Sequence, residues 1–363
     1  MPPRQYQTGI TVYDKSRATP GYSLFTPLGQ FKTYIINMQG EVMHTWDLPN
    51  NVGNYAYLLP NGNLLAAIRT DEGPQGLPAK GGHLIEYDWD NNIVWEHVDN
   101  FQHHDFRRLP NGNTIYAAWE LLDPALAKKI PGGIPGSEHA DGMYGDVIRE
   151  IDPSGKVVWE WHAATEMDVR KFPIYPAAKR KEYAHCNTVS PCANGDIIVN
   201  WRYNASMARI DKKTKKVVWS LTNIDYGQQH DAQELPNGNV LFFANGADLF
   251  LYGPESGSRV VEVDPRQDNK EVWVYKGDPP RSFFSWFISG AQRFENGNTL
   301  ICEGGWGRFF EVMPDGEIVW EYVNPHIVEY EHPAYGKTNV AFRCYRYFAD
   351  SPEIGGRLPA DPS

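Results

Sequence analysis

The sequence repeats itself, and this repeat is its strongest constraint on the fold. One half of the repeat is an apolar segment that ends in tryptophan, as in Gly155-Lys-Val-Val-Trp159. The other half is Leu-Pro-Asn-Gly-Asn followed by apolar residues, as in Leu235 to Leu241. Asn-Gly between apolar segments is a hairpin signal, so each repeat predicts two hairpins, or four strands. Copies of the first half end at Trp46, Trp95, Trp159, Trp219, Trp273 and Trp320, and copies of the second begin at Leu59, Leu109, Cys192, Leu235 and Phe294.

Four short strands that recur every ~40 to 60 residues are typical of propeller blades. The sequence therefore predicts an all-β chain that forms a six-bladed β-propeller with four-stranded blades. Five repeats lie between about Tyr55 and Tyr322. The sixth blade is expected to be closed by the N- and C-terminal segments, because an outer hairpin near Tyr34 to Trp46 lacks inner strands that Lys337 to Tyr347 would supply.

Residues 1–363 are expected to form a single domain with two loop insertions and a tail. The insertions lie near 121–145, which is rich in Gly and Pro, and near 165–183, which carries Lys and Arg and predicts a short helix. Long loops in a compact repeat are often lids or binding elements. The tail, 351–363, is Pro/Gly-rich and is expected to be loosely ordered.

Composition narrows the class of protein. No apolar run approaches the ~18 residues of a membrane helix, so no membrane partner is expected. The net charge of −11 and the absence of a dense basic run argue against nucleic acid. No secretory signal is recognisable at the start of the sequence, which favours a cytoplasmic protein, although a processed secreted form stays open. The spacing of the four cysteines fits neither a zinc site nor a disulfide framework, so buried thiols are expected.

Three histidines occupy equivalent positions in successive repeats. In a propeller the residue that enters strand one and the residue that leaves strand two lie at the same rim of the channel. This rule brings His104 (or its neighbour His103), His185 and His230 to one rim. A single such histidine is more often structural, but three at matching positions favour a functional cluster.

The same rule places further candidates at this rim. Arg202 and Asn187 would join the histidines in the catalytic group. Trp286 and Trp306 fall outside the periodic tryptophans and could stack on an aromatic substrate. The full set of substrate-binding candidates is His103, Asn245, Trp119, Glu120, Trp286, Trp306, Glu303, Tyr55 and Arg69.

These residues resemble the aryl-sulfate sulfotransferase family, which passes a sulfuryl group between phenols without a nucleotide donor. The matching segments include Tyr34 to Trp46, His104-Asp105, His185-Cys-Asn187 with Arg202, and Gln229-His230-Asp231. The resemblance implies a six-bladed propeller in which a histidine, by position His230, is transiently sulfated. The extra β-sandwich domain, signal peptide and disulfide typical of that family are not recognisable in this sequence.

The chemistry leaves three functions open. In the first, Arg202 neutralises the transferring group, His230 attacks sulfur, and His185 or His104 protonates the leaving phenolate, with no cofactor. In the second, His104, His185 and His230 bind a divalent metal for hydrolase, lyase or oxygenase chemistry. In the third, the rim binds a small molecule without catalysis. The substrate is expected to be aromatic or anionic; its identity and the oligomeric state do not follow from the sequence.

Overall fold

The structure, a computed structural model, describes residues 7–246, 257–329 and 336–363. Within these ranges six antiparallel sheets form the blades of a six-bladed β-propeller, as the repeat predicts. The strands, innermost first, are Val52–Leu58, Leu64–Arg69, Gly82–Tyr87 and Ile93–Val98 in blade 1; Gln102–Arg108, Thr114–Leu121, Tyr144–Ile151 and Val157–His162 in blade 2; Cys186–Pro191, Ile197–Trp201, Ser206–Ile210 and Val217–Thr222 in blade 3; His230–Glu234, Val240–Ala244, Arg259–Asp264 and Lys270–Lys276 in blade 4; Gly290–Arg293, Thr299–Glu303, Arg308–Val312 and Ile318–Val323 in blade 5; and Ala341–Tyr347, Tyr22–Pro27, Lys32–Ile36 and Val42–Asp47 in blade 6.

By internal contacts the chain divides into two compact units. Unit 1 comprises Met1–Arg69, Leu84–Glu96 and Ser285–Ser363, and unit 2 comprises Thr70–His83 and His97–Phe284. Blades 5 and 6 lie in unit 1, and blades 2, 3 and 4 lie in unit 2. The single domain expected from the sequence stays a prediction.

In unit 1 the two ends of the chain build blade 6 together, as predicted, but they share it differently. The C-terminal segment supplies one inner strand, Ala341–Tyr347, whereas Tyr22–Pro27 supplies the second. Strand Tyr22–Pro27 was not predicted, because no Asn-Gly turn marks it in the sequence. Another N-terminal strand, Gly9–Tyr13, extends blade 5 by pairing with Ile318–Val323.

The C-terminal tail also contacts this unit. The carbonyl oxygen of Pro362 accepts the backbone N–H of Met38 at 2.9 Å, and Ile354 has no exposed surface. The small strands Val328–Glu329 and Lys337–Thr338 pair with each other.

In unit 2 the blades pack face to face through apolar side chains. Trp161 of blade 2 stacks on Trp201 of blade 3, with ring centroids 5.8 Å apart and planes 10° from parallel. The opposite face of blade 3 presents Ile198 and Met207 to the core of blade 4. Alternation along each strand explains this arrangement, since successive side chains point to opposite faces of a sheet.

The two insertions pair with each other. Strand Gly132–Ile134 of the first lies parallel to strand Ile174–Lys179 of the second. Gly132 has φ of +85°, and a Cβ there would lie 2.0 Å from the carbonyl oxygen of Ile174, so the approach requires glycine. The insertions also contain helices Pro124–Ala127 and Ala163–Glu166, and the short 3₁₀ helices elsewhere are Arg202–Asn204, Ile224–Tyr226, Pro265–Gln267, Pro280–Ser282 and Gly304–Trp306.

The repeat tryptophans join blades more than they fill cores. Trp46 and Trp320 are fully buried, whereas the other four are half-buried. Their indole N–H groups donate across blades: Trp320 to the Met38 carbonyl at 2.9 Å, and Trp219 to the Asn269 side chain at 2.7 Å.

The four cysteines are buried thiols. In the described part of the chain, no helix has the length and apolar composition that a membrane crossing requires.

Candidate functional site

The inner strands of blades 2, 3 and 4 are irregular at their first residues. Their pairing with the second strand shifts register near His104, Asn187 and Asp231, which marks β-bulges. His104, His185 and Asp231 have φ values of +51°, +56° and +58°, a region that ordinary residues rarely adopt. Bulges and strained backbone of this kind aim side chains at functional sites.

His104 begins a chain of polar contacts that leads inward. Nδ1 of His104 lies 2.7 Å from Nδ1 of His103. Nε2 of His103 lies 3.2 Å from Oδ1 of Asp146, although the ring N–H is not aimed straight at the oxygen and neither atom has another hydrogen-bond partner. Oδ2 of Asp146 accepts the backbone N–H of Cys186 at 2.6 Å. Both ring nitrogens of His103 thus lie beside protein groups.

His185 is oriented by a carboxylate. Its Nδ1 lies 2.8 Å from Oε1 of Glu182, and Oε2 of Glu182 accepts the indole N–H of Trp119 at 3.0 Å. Strand Glu182–Tyr183 brings this carboxylate into place by pairing in parallel with blade 2. Burial acts to raise the pKa of Glu182, but His185, His103 and Trp119 together outweigh burial and lower it. Glu182 is thus an ionised partner that fixes His185.

Trp119 is enclosed by the same contacts. It is buried and stacks on His103, with centroids 4.3 Å apart and planes 16° from parallel. It therefore lies against the histidines, and its contact with a substrate stays a prediction. The next residue, Glu120, points away and lies 2.9 Å from Nδ1 of His162 in the fourth strand of blade 2.

His230 is paired with an amide oxygen. Its Nδ1 lies 2.6 Å from Oδ1 of Asn245, and His230 is almost fully buried. An amide oxygen only accepts hydrogen bonds, so Nδ1 of His230 carries the proton and donates. In a neutral ring with this tautomer, Nε2 of His230 carries the lone pair and is the nucleophilic nitrogen.

Arg202 lies close to the histidines at the end of the second strand of blade 3. Its Nε donates to the side-chain oxygen of Gln228 at 2.6 Å, which fixes the guanidinium. Burial lowers the pKa of His104 well below its ordinary value, and the charges of His185, His103, His230 and Arg202 lower it further. The structure thus brings His104, His185, His230 and Arg202 together, and His104 is held neutral there.

Asn187 is used to hold the backbone. Its amide nitrogen donates to the carbonyl of Gln229 at 2.9 Å, and its oxygen accepts the Thr188 hydroxyl at 3.1 Å. The Thr188 oxygen in turn accepts the backbone N–H of Asp231 at 2.8 Å. In the same way Asp105 of blade 2 accepts the backbone N–H of Val189 at 2.7 Å. Asn187 therefore lies where it positions the segment that carries His230.

Five of the candidates lie in unit 1. Tyr55 is buried and stacks on Phe342, and Arg69 is exposed at the end of its strand. Glu303 is buried beside Arg308, with Oε2 3.0 Å from the guanidinium. Trp286 and Trp306 form an edge-to-face pair with centroids 5.3 Å apart, and 44% of Trp306 is exposed. Another rim candidate, Glu331-His332, lies outside the described residues.

Three residues that orient the site were not predicted: Asp146, Glu182 and Gln228. Glu182 stands three residues before His185, a spacing that could have drawn attention to it. Asp146 lies on a third strand and Gln228 in a loop, so only folding shows their proximity. Within residues 7–246, 257–329 and 336–363, no group of three or more His, Cys, Asp or Glu side chains has the arrangement of a metal site.

The chain is similar to known proteins in sequence and in fold. The family model described as arylsulfotransferase (ASST) matches residues 58–325. No curated protein matches the sequence. Among solved structures, a protein of unknown function from Bacteroides caccae is similar with a TM-score of 0.54 and 15% identity, over 84% of this chain and 94% of that one, which shows the fold. A virginiamycin B lyase from Staphylococcus aureus is also similar, with a TM-score of 0.48 and 12% identity over 87% of this chain and 83% of that one.

Proposed function

The chain belongs to the arylsulfotransferase family, and from that premise we propose that it moves a sulfuryl group from an aryl sulfate to a phenol through a sulfated His230. The family supports sulfuryl transfer between aryl compounds in general. The histidine intermediate is our inference from the site. We also propose that the substrates are small and that no metal is required.

The observation that carries the proposal is the contact between His230 and Asn245. It supports a neutral ring with its proton on Nδ1 and its lone pair on Nε2. Such a nitrogen can attack sulfur while the aryl oxygen leaves, which splits one difficult transfer into two easier steps. Sequestration of the ring from water favours attack, because a buried lone pair carries little hydration to remove.

In this proposal Arg202 neutralises the negative charge of the transferring sulfuryl group. The transferring group carries negative charge on its oxygens, as in phosphoryl transfer, so positioning and electrostatic stabilisation dominate the barrier. A guanidinium anchored at Nε by Gln228 presents its remaining edge in a fixed orientation. This supports a role for Arg202 at the sulfuryl oxygens.

In this proposal His104 and His185 exchange protons with the phenol oxygen. Both are buried, and their rings lie 4.6 Å apart between centroids. The bond from His185 to Glu182 occupies Nδ1, which leaves Nε2 as its reactive nitrogen. A positioned general acid typically contributes ~10²–10⁴-fold to the rate.

The test is a burst experiment with 4-nitrophenyl sulfate and no acceptor. The wild-type protein should release one equivalent of 4-nitrophenol and gain the mass of one sulfuryl group, and adding phenol should remove that mass. His230→Ala should show neither event. The matched control is His97→Gln, which changes a half-buried outer-strand histidine and should behave as wild type. A wild-type protein that shows no adduct and no transfer would refute the proposal.

A further inference from the structure

The contacts behind His104 form a continuous path for protons. The path runs from Nε2 of His104 through its Nδ1 to Nδ1 of His103 at 2.7 Å, and from Nε2 of His103 to Oδ1 of Asp146 at 3.2 Å. All three side chains are buried, and Trp119 stacked on His103 holds the middle ring. The last contact is not aligned as a hydrogen bond in this structure, and catalytic bonds of this kind often tighten when substrate binds.

With both rings neutral, the path has two self-consistent proton arrangements. When Asp146 is a carboxylate, His103 must donate from Nε2 and accept at Nδ1, so His104 donates from Nδ1 and its Nε2 is a base. When Asp146 is protonated, His103 accepts at Nε2 and donates from Nδ1, so His104 accepts at Nδ1 and its Nε2–H is an acid. Both rings are neutral in both arrangements.

We propose that Asp146 stores the catalytic proton and that His103 passes it to and from His104. His103 and Asp146 are thus positioning residues that act through His104. The inference rests on the proposed function, since it supplies the acid and base that the two half-reactions need.

Atoms and charges balance over the cycle. In the first half-reaction Nε2 of His230 bonds to sulfur, and the S–O bond breaks with its electrons moving to the aryl oxygen. That oxygen takes the Nε2 proton of His104, His104 takes the Nδ1 proton of His103, and His103 takes the carboxyl proton of Asp146. In the second, the acceptor oxygen bonds to sulfur, the N–S bond breaks toward His230, and the acceptor proton returns along the path to Asp146.

The surroundings of His104 and Asp146, the two ends of the path, favour storage of the proton on Asp146. Burial lowers the pKa of His104, and the nearby His185, His103, His230 and Arg202 add to the effect, so a cationic ring is disfavoured. Burial raises the pKa of Asp146, Glu182 adds to the increase, and His103 and His185 only partly oppose it. The backbone N–H of Cys186 occupies Oδ2, which leaves Oδ1 to carry the proton facing His103.

The first test compares two donors that differ in their need for an acid. Phenyl sulfate releases a basic phenolate, whereas 4-nitrophenyl sulfate releases a stable one. Asp146→Asn keeps an acceptor for Cys186 but cannot release a proton. We expect the ratio of single-turnover rates, 4-nitrophenyl over phenyl sulfate, to rise by ~10²-fold in this variant.

Asp105→Asn is the matched control. Asp105 is an equally buried carboxylate that also accepts a backbone N–H of blade 3. Its substitution should change both donor rates by the same factor. An unchanged donor ratio in a folded Asp146→Asn protein would overturn the inference.

The second test requires neither a variant nor activity. Nitrogen NMR of the wild-type protein should show His103 and His104 exchanging tautomers at one shared pH midpoint, with both rings neutral on either side. Fixed tautomers, or titration of either ring to the cation instead, would overturn the inference. A protein with the tautomer exchange but no sulfated intermediate would refute the proposed function and leave the proton path standing.

Discussion

Glu182 and Asp146 are two buried carboxyl groups whose pKa values shift in opposite directions. Hydrogen bonds and charge from His185, His103 and Trp119 outweigh burial at Glu182, whereas burial prevails at Asp146. The surroundings therefore favour the ionised form of Glu182 and the protonated form of Asp146.

Glu182→Gln should destabilise the protein most at neutral pH. A carboxyl with a lowered folded-state pKa contributes stability above its unfolded value of about 4.3, and this contribution disappears as pH falls through the folded value. The difference in unfolding free energy between wild type and variant should therefore shrink from pH 7 to pH 3. Denaturant unfolding at several pH values measures it, and a difference that grows toward acid would contradict the assignment.

Substitutions at Asn245 should separate tautomer control from packing. Asn245→Asp retains an acceptor for Nδ1 of His230, so most of the burst rate should persist. Asn245→Leu removes the acceptor and frees the tautomer, and a loss of up to roughly 10⁴-fold is expected by analogy with the wrong tautomer in a catalytic triad. The rate of 4-nitrophenol release is the measurement. Equal losses in the two variants would show that the amide oxygen does not set the tautomer.

Arg202→Gln should slow sulfation of His230 by ~10²–10³-fold, the usual cost of losing one stabilising donor in a transition state. Arg202→Lys should recover only part of this loss, because an ammonium cannot reproduce the planar fork held by Gln228. Single-turnover rates at saturating donor separate this effect from weaker binding. A change in KM alone would mean that Arg202 binds the donor without stabilising transfer.

Trp161→Ala should cost about 3–5 kcal/mol of unfolding free energy. Trp161 is fully buried between blades 2 and 3 and stacks on Trp201, so its loss leaves a cavity that rigid sheets cannot close. Val158→Ala, on the same strand with 49% of its surface exposed, should stay within about 0.5 kcal/mol of wild type. Chemical denaturation compares the three proteins, and equal stabilities would contradict the packing described here.

The repeat predicted the propeller because turn chemistry and apolar alternation are local properties. The repeat segment that ends at Trp159 leads into the outer strand Val157–His162 of blade 2. The positions of His104, His185 and His230 followed from one topological rule. Residues at equivalent positions of a repeat can thus be proposed as neighbours from the sequence alone.

The remaining features depend on nonlocal pairing. Glu182 reaches His185 because a two-residue strand joins blade 2 in parallel, and no sequence pattern marks so short a strand. Trp119 was expected to contact substrate, and its ring lies against His103, because strand alternation turns Trp119 and Glu120 to opposite faces. Roles of this kind require side-chain directions as well as strand ends.

The bonds from Asp105 to Val189 and from Thr188 to Asp231 join the start of each blade's inner strand to the backbone of the next. Blades 2, 3 and 4 are therefore poor units for recombination, even though their sequences look modular. A blade transplanted from a relative would carry its own histidine but would lack the hydrogen bond to the neighbouring blade that orients it. Chimaeras of this protein would have to exchange neighbouring blades together to inherit a working site.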